Sequence, residues 1–317
     1  KDIFNSLFNF ITKMNIIEKL KKFFIEEIEI KDKSTNDFIL KIPDKPELNE
    51  IQKINEINIY SYSKINTFKE CPYKYKLKYI DHENPEIIDT IETFLGRIVH
   101  QCLQELYQRI NSKQKYSKEE LINLYIELWD KGYSEGIRIV KKYQGLDKDY
   151  YKQMGKQYLS DYYETYKPFK ELNIIALETE DKIILPDGNH WHVRIDKLGH
   201  DNKGTYYICD YKTTKWMKSQ EEADEDIQLA MYSIWVKNNF KSVKKIKLLW
   251  HMLAFNRIIV SERTDEELRK LEEEIITTIK NIENTINFPT KESALCPYCE
   301  FTSKCPIFVD RWNNKYN

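Results

Sequence analysis

Acidic and basic residues follow two apolar runs that read as neighbouring strands. "VRID" places Asp196 at the end of one run, and "YICDYK" places Asp210 and Lys212 at the end of the next. Because side chains two apart on a strand share a face, Asp210 and Lys212 should project to one side and Tyr211 to the other. Two close carboxylates suit Mg²⁺ or Mn²⁺, which can polarise a phosphodiester oxygen and activate water. A surface ion pair between Asp210 and Lys212 would have the same sequence, so this alternative stays open.

Two helical patterns add polar groups that could join such a site. His100 offers a neutral imidazole, which can bind a transition metal or Mn²⁺. Gly96, one turn earlier, would let this helix approach the strands closely. Gln228 and Tyr232 are spaced i, i+4, so an amide and a phenol share one helical face and could contact a nucleic-acid backbone or hold Lys212. Taken singly, each of these residues is equally typical of an ordinary core or surface position.

Six cysteines indicate a second kind of site. Three of them have the spacing C-x2-C-x5-C in "LCPYCEFTSKCPIF", namely Cys296, Cys299 and Cys305. A fourth ligand could be Cys71, Cys102, Cys209 or a histidine. Cys71 is followed by proline, as are two of the three, whereas Cys102 and Cys209 lie in apolar runs typical of buried, inert thiols. Four thiolates can hold zinc or an iron-sulfur cluster.

Composition limits where such a protein works. The chain has 317 residues, and its formal net charge of −1 means that any nucleic-acid surface must be a local patch. The apolar run at the start is interrupted by polar residues before it reaches the length of a membrane span. Without a secretory signal, six cysteines indicate reduced thiols or metal ligands rather than disulfides. We therefore expect a cytoplasmic protein with no membrane partner.

Periodicity predicts a main domain from residue 59 to 317, after a helical extension and linker at 1–58. The domain should begin with a helix from Ser63 through Tyr79 and carry a helical insertion at about 111–168. Three strands should follow, then a helix, a strand pair and a long charged helix. This order predicts an α+β fold with a central mixed sheet flanked by helices.

Lysines interleaved with aromatic residues indicate a possible path for single-stranded nucleic acid. One group lies between residues 64 and 78, and a second, Lys215, Trp216 and Lys218, follows the Asp210 strand. Lysines suit phosphates and aromatic rings suit base stacking. A solvated helix face rich in lysine and tyrosine would have the same appearance.

Four motifs in order resemble one nuclease family. "FLGRIVHQCL", "VRIDKL", "ICDYKTTK" and "IQLAMYS" are similar to the G-x-x-x-H, G-x-x-D, D-x-K and Q-x-x-x-Y motifs of PD-(D/E)xK nucleases, in the branch with RecB, AddB and the CRISPR-associated four-cysteine exonucleases. Val193 stands where the branch has the glycine of G-x-x-D. The resemblance implies a restriction-endonuclease-like fold.

The same resemblance implies roles for individual residues. It implies that the metal ligands are His100, Asp196, Asp210 and the backbone carbonyl of Tyr211. Lys212 would be the catalytic lysine, and Gln228 and Tyr232 would support the site or bind DNA. On the first strand, Glu178 or Glu180 could assist through a contact behind the ligands, and Glu180 is our candidate.

The cysteines complete the resemblance. In this branch one cysteine precedes the nuclease core and three follow it, which implies that a [4Fe-4S] cluster is held by Cys71, Cys296, Cys299 and Cys305. Such a cluster, at a loop spanning residues 295–308, would staple the two ends of the domain together. Zinc is the competing metal.

These observations predict a metal-dependent deoxyribonuclease. We expect an Mg²⁺- or Mn²⁺-dependent exonuclease that acts on single-stranded DNA or DNA ends, in repair and recombination or in CRISPR adaptation. A helicase or CRISPR adaptation proteins would be its partners. The alternative is a non-catalytic DNA-binding or scaffold subunit of a helicase-nuclease complex that keeps the fold and the cluster.

Overall fold

A computed structural model describes residues 59–85 and 89–309. The predictions for residues 1–58 lie outside the described residues. In chain order the elements are β1 (Ile59–Tyr60), α1 (Tyr62–Glu70), α2 (Pro72–Tyr75), a π-helical turn (Lys76–Ile80), α3 (Ile91–Asn111), α4 (Lys118–Gly132), α5 (Lys148–Tyr166), β2 (Asn173–Ile184), β3 (His190–His200), β4 (Thr205–Lys212), α6 (Gln220–Asp224), α7 (Ile227–Asn239), β5 (Lys245–Met252), β6 (Arg257–Ser261) and α8 (Asp265–Glu283). Short 3₁₀ turns lie at Lys142–Gln144, Leu253–Phe255, Cys296–Tyr298 and Thr302–Lys304.

The strands form one mixed sheet in which β3 pairs with three other strands. The strand order is β1-β3-β4-β5-β6, and β2 pairs with β3 outside this path. The pairs β1–β3 and β4–β5 are parallel, whereas β2–β3, β3–β4 and β5–β6 are antiparallel. Because helices cover both faces, the predicted α+β class with a mixed sheet is confirmed.

Each face of the sheet has its own apolar core. On one face, side chains of α7 and α8, such as Trp235 and Ile279, pack against Val193 and Ile208. On the other face, α3, α4 and α5 pack around residues such as Trp129, with Tyr211 of β4 completing the cluster. The sheet therefore separates two environments, and a strand side chain enters one or the other according to its position.

The prediction of one continuous helix from Ser63 through Tyr79 is wrong, because the helix is interrupted at Cys71. Cys71 has the extended angles φ −156° and ψ 104°, so α1 ends at Glu70 and α2 begins at Pro72. A proline disfavours the helical region for the residue before it, which explains the break. Cys71 therefore lies half-buried at a bend between two helices.

Among the residues that the structure describes, none of the helices combines the length and the apolar character that a membrane crossing requires.

Candidate metal centre and its cleft

The sheet opens beside Asp196, where β3 and β4 separate. Pairing between these strands ends at Lys197 opposite Cys209. Beyond this point, the backbone N–H of Tyr211 donates to Oδ2 of Asp196 at 2.8 Å instead of to a main-chain carbonyl. A side chain thus replaces a ladder bond, which leaves both carboxylate-bearing strands accessible at the opening.

On the other edge of β3, the β2 backbone is distorted opposite Asp196, although the pairing keeps its register there. Thr179 pairs with Ile195 and Leu177 with Lys197, and between them Glu178 has a positive φ of 45°. Glutamate rarely adopts this region, so the surrounding ladder must hold it there.

The alternation of buried side chains along β3 shifts at the same point. Ile195 and Leu198 both pack into the core formed with α7 and α8. Lys197 instead reaches the opposite core, where it contacts Tyr107. A regular strand would place residues 195 and 197 on one face, so the alternation shifts just after Asp196, which itself lies on the same face as His192 and Arg194 along the cleft.

Three side chains meet there with metal-ligand geometry. One ligand atom from each of His100, Glu178 and Asp196 lies within 4.8 Å of the others. Nδ1 of His100 is 3.5 Å from Oδ2 of Asp196 and 3.7 Å from Oε1 of Glu178. An imidazole and two carboxylates are a donor set that fits Mn²⁺ and, through the oxygens, Mg²⁺.

His100 is held from both ring nitrogens. Its Nε2 donates to the backbone carbonyl of Tyr211 at 2.9 Å. Burial opposes the charged ring, but Asp196 and Glu178 raise the pKa of His100 to about 10. For Asp196, burial is likewise outweighed by the His100 contact and the Tyr211 N–H, so its pKa is lowered. The Tyr211 carbonyl, a predicted ligand, thus accepts a hydrogen bond from His100.

Asp210 and Lys212 form a buried pair next to this group. Nζ of Lys212 is 2.8 Å from Oδ2 of Asp210 and 3.4 Å from Oε1 of Gln228. Burial raises the pKa of the Asp210 carboxyl to about 6. Burial acts against the Lys212 charge, but Asp210 outweighs it and raises the lysine pKa. The prediction that these two side chains share a face, with Tyr211 turned away, is confirmed by their contacts.

The predicted residues line one cleft with a volume of about 760 Å³. Its walls include His100, Asp196, Asp210, Lys212, Gln228 and Tyr232. Gly96 faces Thr213 across the cleft wall, since a Cβ at Gly96 would lie 3.3 Å from Oγ1 of Thr213. The close approach expected at Gly96 is therefore to the segment directly after β4.

On β2, Glu178 lies beside His100. Glu178 is only 14% exposed and also accepts from Nη2 of Arg194 at 3.1 Å. Glu180, our candidate from the sequence, is 65% exposed and 4.0 Å from Nε of Arg194. Sequence reasoning also missed Arg194, although His192, Arg194 and Asp196 alternate with Trp191, Val193 and Ile195 in a period of two that could have revealed a polar face.

The lysines and aromatic residues proposed as a nucleic-acid path differ in exposure and in ion pairing. Lys74 and Lys78 form ion pairs with Glu300 at 2.8 and 3.0 Å, which tie this segment to the cysteine loop. After β4, Trp216 is 70% exposed, while Lys218 pairs with Asp226 at 2.7 Å.

Four cysteines line a second cavity, and they come from segments near the two ends of the domain. They are Cys71, Cys296, Cys299 and Cys305. Further bonds join the two segments: Tyr73 N–H donates to the Pro289 carbonyl at 3.1 Å, and Lys291 Nζ donates to the Lys69 carbonyl at 2.9 Å. The backbone N–H of Ser293 donates to Sγ of Cys296 at 3.3 Å, a contact that stabilises thiolates.

Cys102 and Cys209 are fully buried away from this cavity. Burial raises the pKa of Cys102 to about 12 and that of Cys209 to about 11, so both stay protonated and unreactive. The expectation that these two thiols are buried is confirmed.

A protein-family model matches most of this chain. Residues 59–306 match the model described as PD-(D/E)XK nuclease superfamily. The chain belongs to this superfamily. A solved structure titled "Crystal structure of SSO0001" aligns at 14% sequence identity and a TM-score of 0.32, covering 82% of this chain and 91% of that one. The assignment therefore rests on the family match, which supports a hydrolytic nuclease.

Proposed function

We propose that the chain is a metal-dependent DNA exonuclease that uses Mg²⁺ or Mn²⁺. The observation that carries the proposal is the meeting of His100, Glu178 and Asp196 beside the Asp210–Lys212 pair in an open cleft. Family membership supports a nuclease, and the exonuclease class follows from the resemblance to the RecB and AddB branch.

Each residue has a proposed role. His100, Asp196, Asp210 and the Tyr211 carbonyl would hold the ion, and Glu178 holds His100 and Arg194 in place. An ion held there would supply the chemistry that polarises a phosphodiester oxygen and lowers the pKa of water. To act as a ligand, His100 must first lose a proton, since its neighbours keep it charged.

Lys212 acts as a fixed positive charge in this proposal. Its pKa is raised by Asp210, so it remains protonated at neutral pH and cannot serve as a general base. An ammonium group next to the ligands can orient the attacking water and stabilise charge that develops on the phosphate. Gln228 accepts from the same ammonium and keeps it pointing into the cleft.

Cleavage of end-labelled DNA tests the proposal. The protein is incubated with single- and double-stranded oligonucleotides and Mg²⁺ or Mn²⁺. Asp210→Asn and Lys212→Met should each lower kcat by at least about 100-fold, a typical loss for a group that stabilises transition-state charge. Cleavage at the wild-type rate in both variants would refute this site. Release of internal fragments rather than mononucleotides would refute the exonuclease class.

A matched pair on β2 locates the supporting acid. Glu178→Gln removes the carboxylate near His100, so we expect weaker metal activation and slower cleavage. Glu180→Gln changes a side chain of the same type, two residues away and mostly exposed, and it should retain most activity. The opposite ranking would return the supporting role to Glu180.

We further propose that the cysteine cavity holds a [4Fe-4S] cluster. Cys71, Cys296, Cys299 and Cys305 line one cavity. Zinc sites more commonly pair two C-x-x-C motifs, whereas these four cysteines contain one such motif, Cys296 and Cys299. The resemblance therefore favours the cluster, which would join Cys71 to the loop more than 200 residues later.

Iron analysis after anaerobic purification tests the cluster. We expect about four irons per chain and a brown protein with broad visible absorption. Cys71→Ser should lose the colour, whereas Cys102→Ser, a buried cysteine outside the cavity, should keep it. A colourless protein with stoichiometric zinc would show that zinc occupies the cavity.

The resemblance also supports a biological setting. DNA repair or recombination alongside a helicase, and CRISPR adaptation alongside its proteins, are both compatible with single strands or ends as substrate. Co-purification of the tagged protein under native conditions distinguishes them, because the two settings provide different partners.

A further inference from the structure

A chain of buried polar groups lies directly behind the metal centre. Lys197 is 1% exposed, and its Nζ donates to the hydroxyls of Tyr107 at 2.9 Å and Tyr162 at 3.1 Å. The two hydroxyls are 2.7 Å apart, and the Tyr162 hydroxyl is also 3.2 Å from that of Tyr211. One phenol, Tyr162 of α5, therefore touches partners on α3, β3 and β4.

Two of these partners, Lys197 and Tyr211, are linked directly to the candidate ligands. Lys197 directly follows Asp196 on β3. Tyr211 donates its N–H to Asp196 and accepts from His100 through its carbonyl. Since the sheet opens at this point, no regular ladder fixes β3 to β4 at Asp196, and the side-chain anchors behind the opening take on that task.

Burying this group of Lys197 and three tyrosines costs desolvation free energy. Burial removes the hydration of the Lys197 ammonium group and lowers its pKa. The two hydroxyls and the Tyr107 ring, whose centre lies 4.1 Å from Nζ, replace part of that hydration. A core of apolar residues could fill the same space at lower cost. The polar groups instead provide directional bonds that fix two strands relative to one helix.

We propose that Tyr162 is a positioning residue for the metal centre. Its hydroxyl holds Lys197 and Tyr211, and through their backbones it sets the separation of Asp196 from His100. The helical layer of α3, α4 and α5 is thereby part of the metal site, and His100 of α3 is the candidate ligand that it supplies to the cleft. The proposal rests on the proposed function of that site.

Hydroxyl deletions with a matched control test this inference. Tyr162→Phe and Tyr211→Phe each remove the link between the two rings, and Tyr211→Phe removes only that hydroxyl. Tyr158→Phe is the control: it lies on the same helix, is 5% exposed, and its hydroxyl has no hydrogen-bond partner within the described residues. All three changes keep the ring and its packing.

Calorimetric titration with Mn²⁺ gives a readout that does not require cleavage. Tyr162→Phe and Tyr211→Phe should each raise the Mn²⁺ dissociation constant about fivefold, the range expected for one lost buried hydrogen bond. The double variant should be no weaker than the Tyr162 variant, because both changes break the same link. Tyr158→Phe should bind Mn²⁺ like the wild type.

Kinetics separate positioning from general structural weakening. At saturating Mn²⁺, kcat should recover in Tyr162→Phe while KM for DNA stays at the wild-type value. Unchanged Mn²⁺ affinity in both link variants would overturn the proposal, as would an equal loss in Tyr158→Phe. If the wild type binds Mn²⁺ but cleaves no DNA, the proposed function fails, and the calorimetry still decides the role of Tyr162.

Discussion

His251 makes acid stability a direct test of the buried layer behind the site. The ring is 4% exposed and packs among Tyr162, Tyr166 and Tyr211. Within the described part of the chain, neither ring nitrogen has a hydrogen-bond partner. Burial, assisted by the nearby Lys197 charge, lowers the pKa of His251 well below its ordinary value of 6.5.

The sign and size of the effect follow from linkage. Below pH 6.5 the unfolded chain protonates this histidine and the folded chain does not, so the unfolded state binds more protons and stability falls as the pH falls. For one group with an unfolded pKa of about 6.5, lowering the pH from 7.5 to 5.0 removes about 2 kcal/mol of unfolding free energy. This loss is specific to His251.

Urea unfolding at several pH values measures it. Over the same pH range, His251→Leu should lose about 2 kcal/mol less than the wild type. Leu253→Ala, a variant in the same cluster without a titratable group, should cost about 2–4 kcal/mol at every pH. Equal acid-induced losses in the wild type and His251→Leu would refute the placement of an uncharged histidine in this core.

Two further predictions concern elements that support the cleft. Gly155→Ala should destabilise the protein by about 1–2 kcal/mol in urea unfolding, because a Cβ at this position would lie 2.6 Å from Cζ of Tyr125. This clash outweighs the gain in helix propensity of about 1 kcal/mol. Adding Tyr125→Phe should relieve part of the loss. Asp226→Ala should cost about 2 kcal/mol, since Asp226 accepts from the N–H of Gln228 at 2.9 Å and pairs with Lys218. Asp226→Asn keeps the cap, so an equal cost in both variants would contradict the capping contribution.

Much of the site could be read from short-range pattern. The period of two on β4 puts Asp210 and Lys212 on one face, and a spacing of four on α7 aligns Gln228 with Tyr232, because local geometry alone determines which side chains are neighbours within an element. The α+β class followed equally from the order of helical and strand patterns.

The cysteines show where sequence order and local pattern reach their limit. Proline after Cys71 ended the helix there, a local effect that a continuous-helix prediction missed. That Cys71 shares a cavity with the loop at 295–308 depends on packing between segments far apart in sequence.

The sequence by itself determined which residues can do chemistry and on which side of their own element they lie. Only the tertiary structure decided that β3 parts from β4 at Asp196, that Glu178 lies beside His100, and that Tyr162 reaches behind the site. The reason is physical: a strand's period is fixed by backbone sterics, whereas a shift in that period arises from pairing and packing with distant segments, which no local pattern encodes.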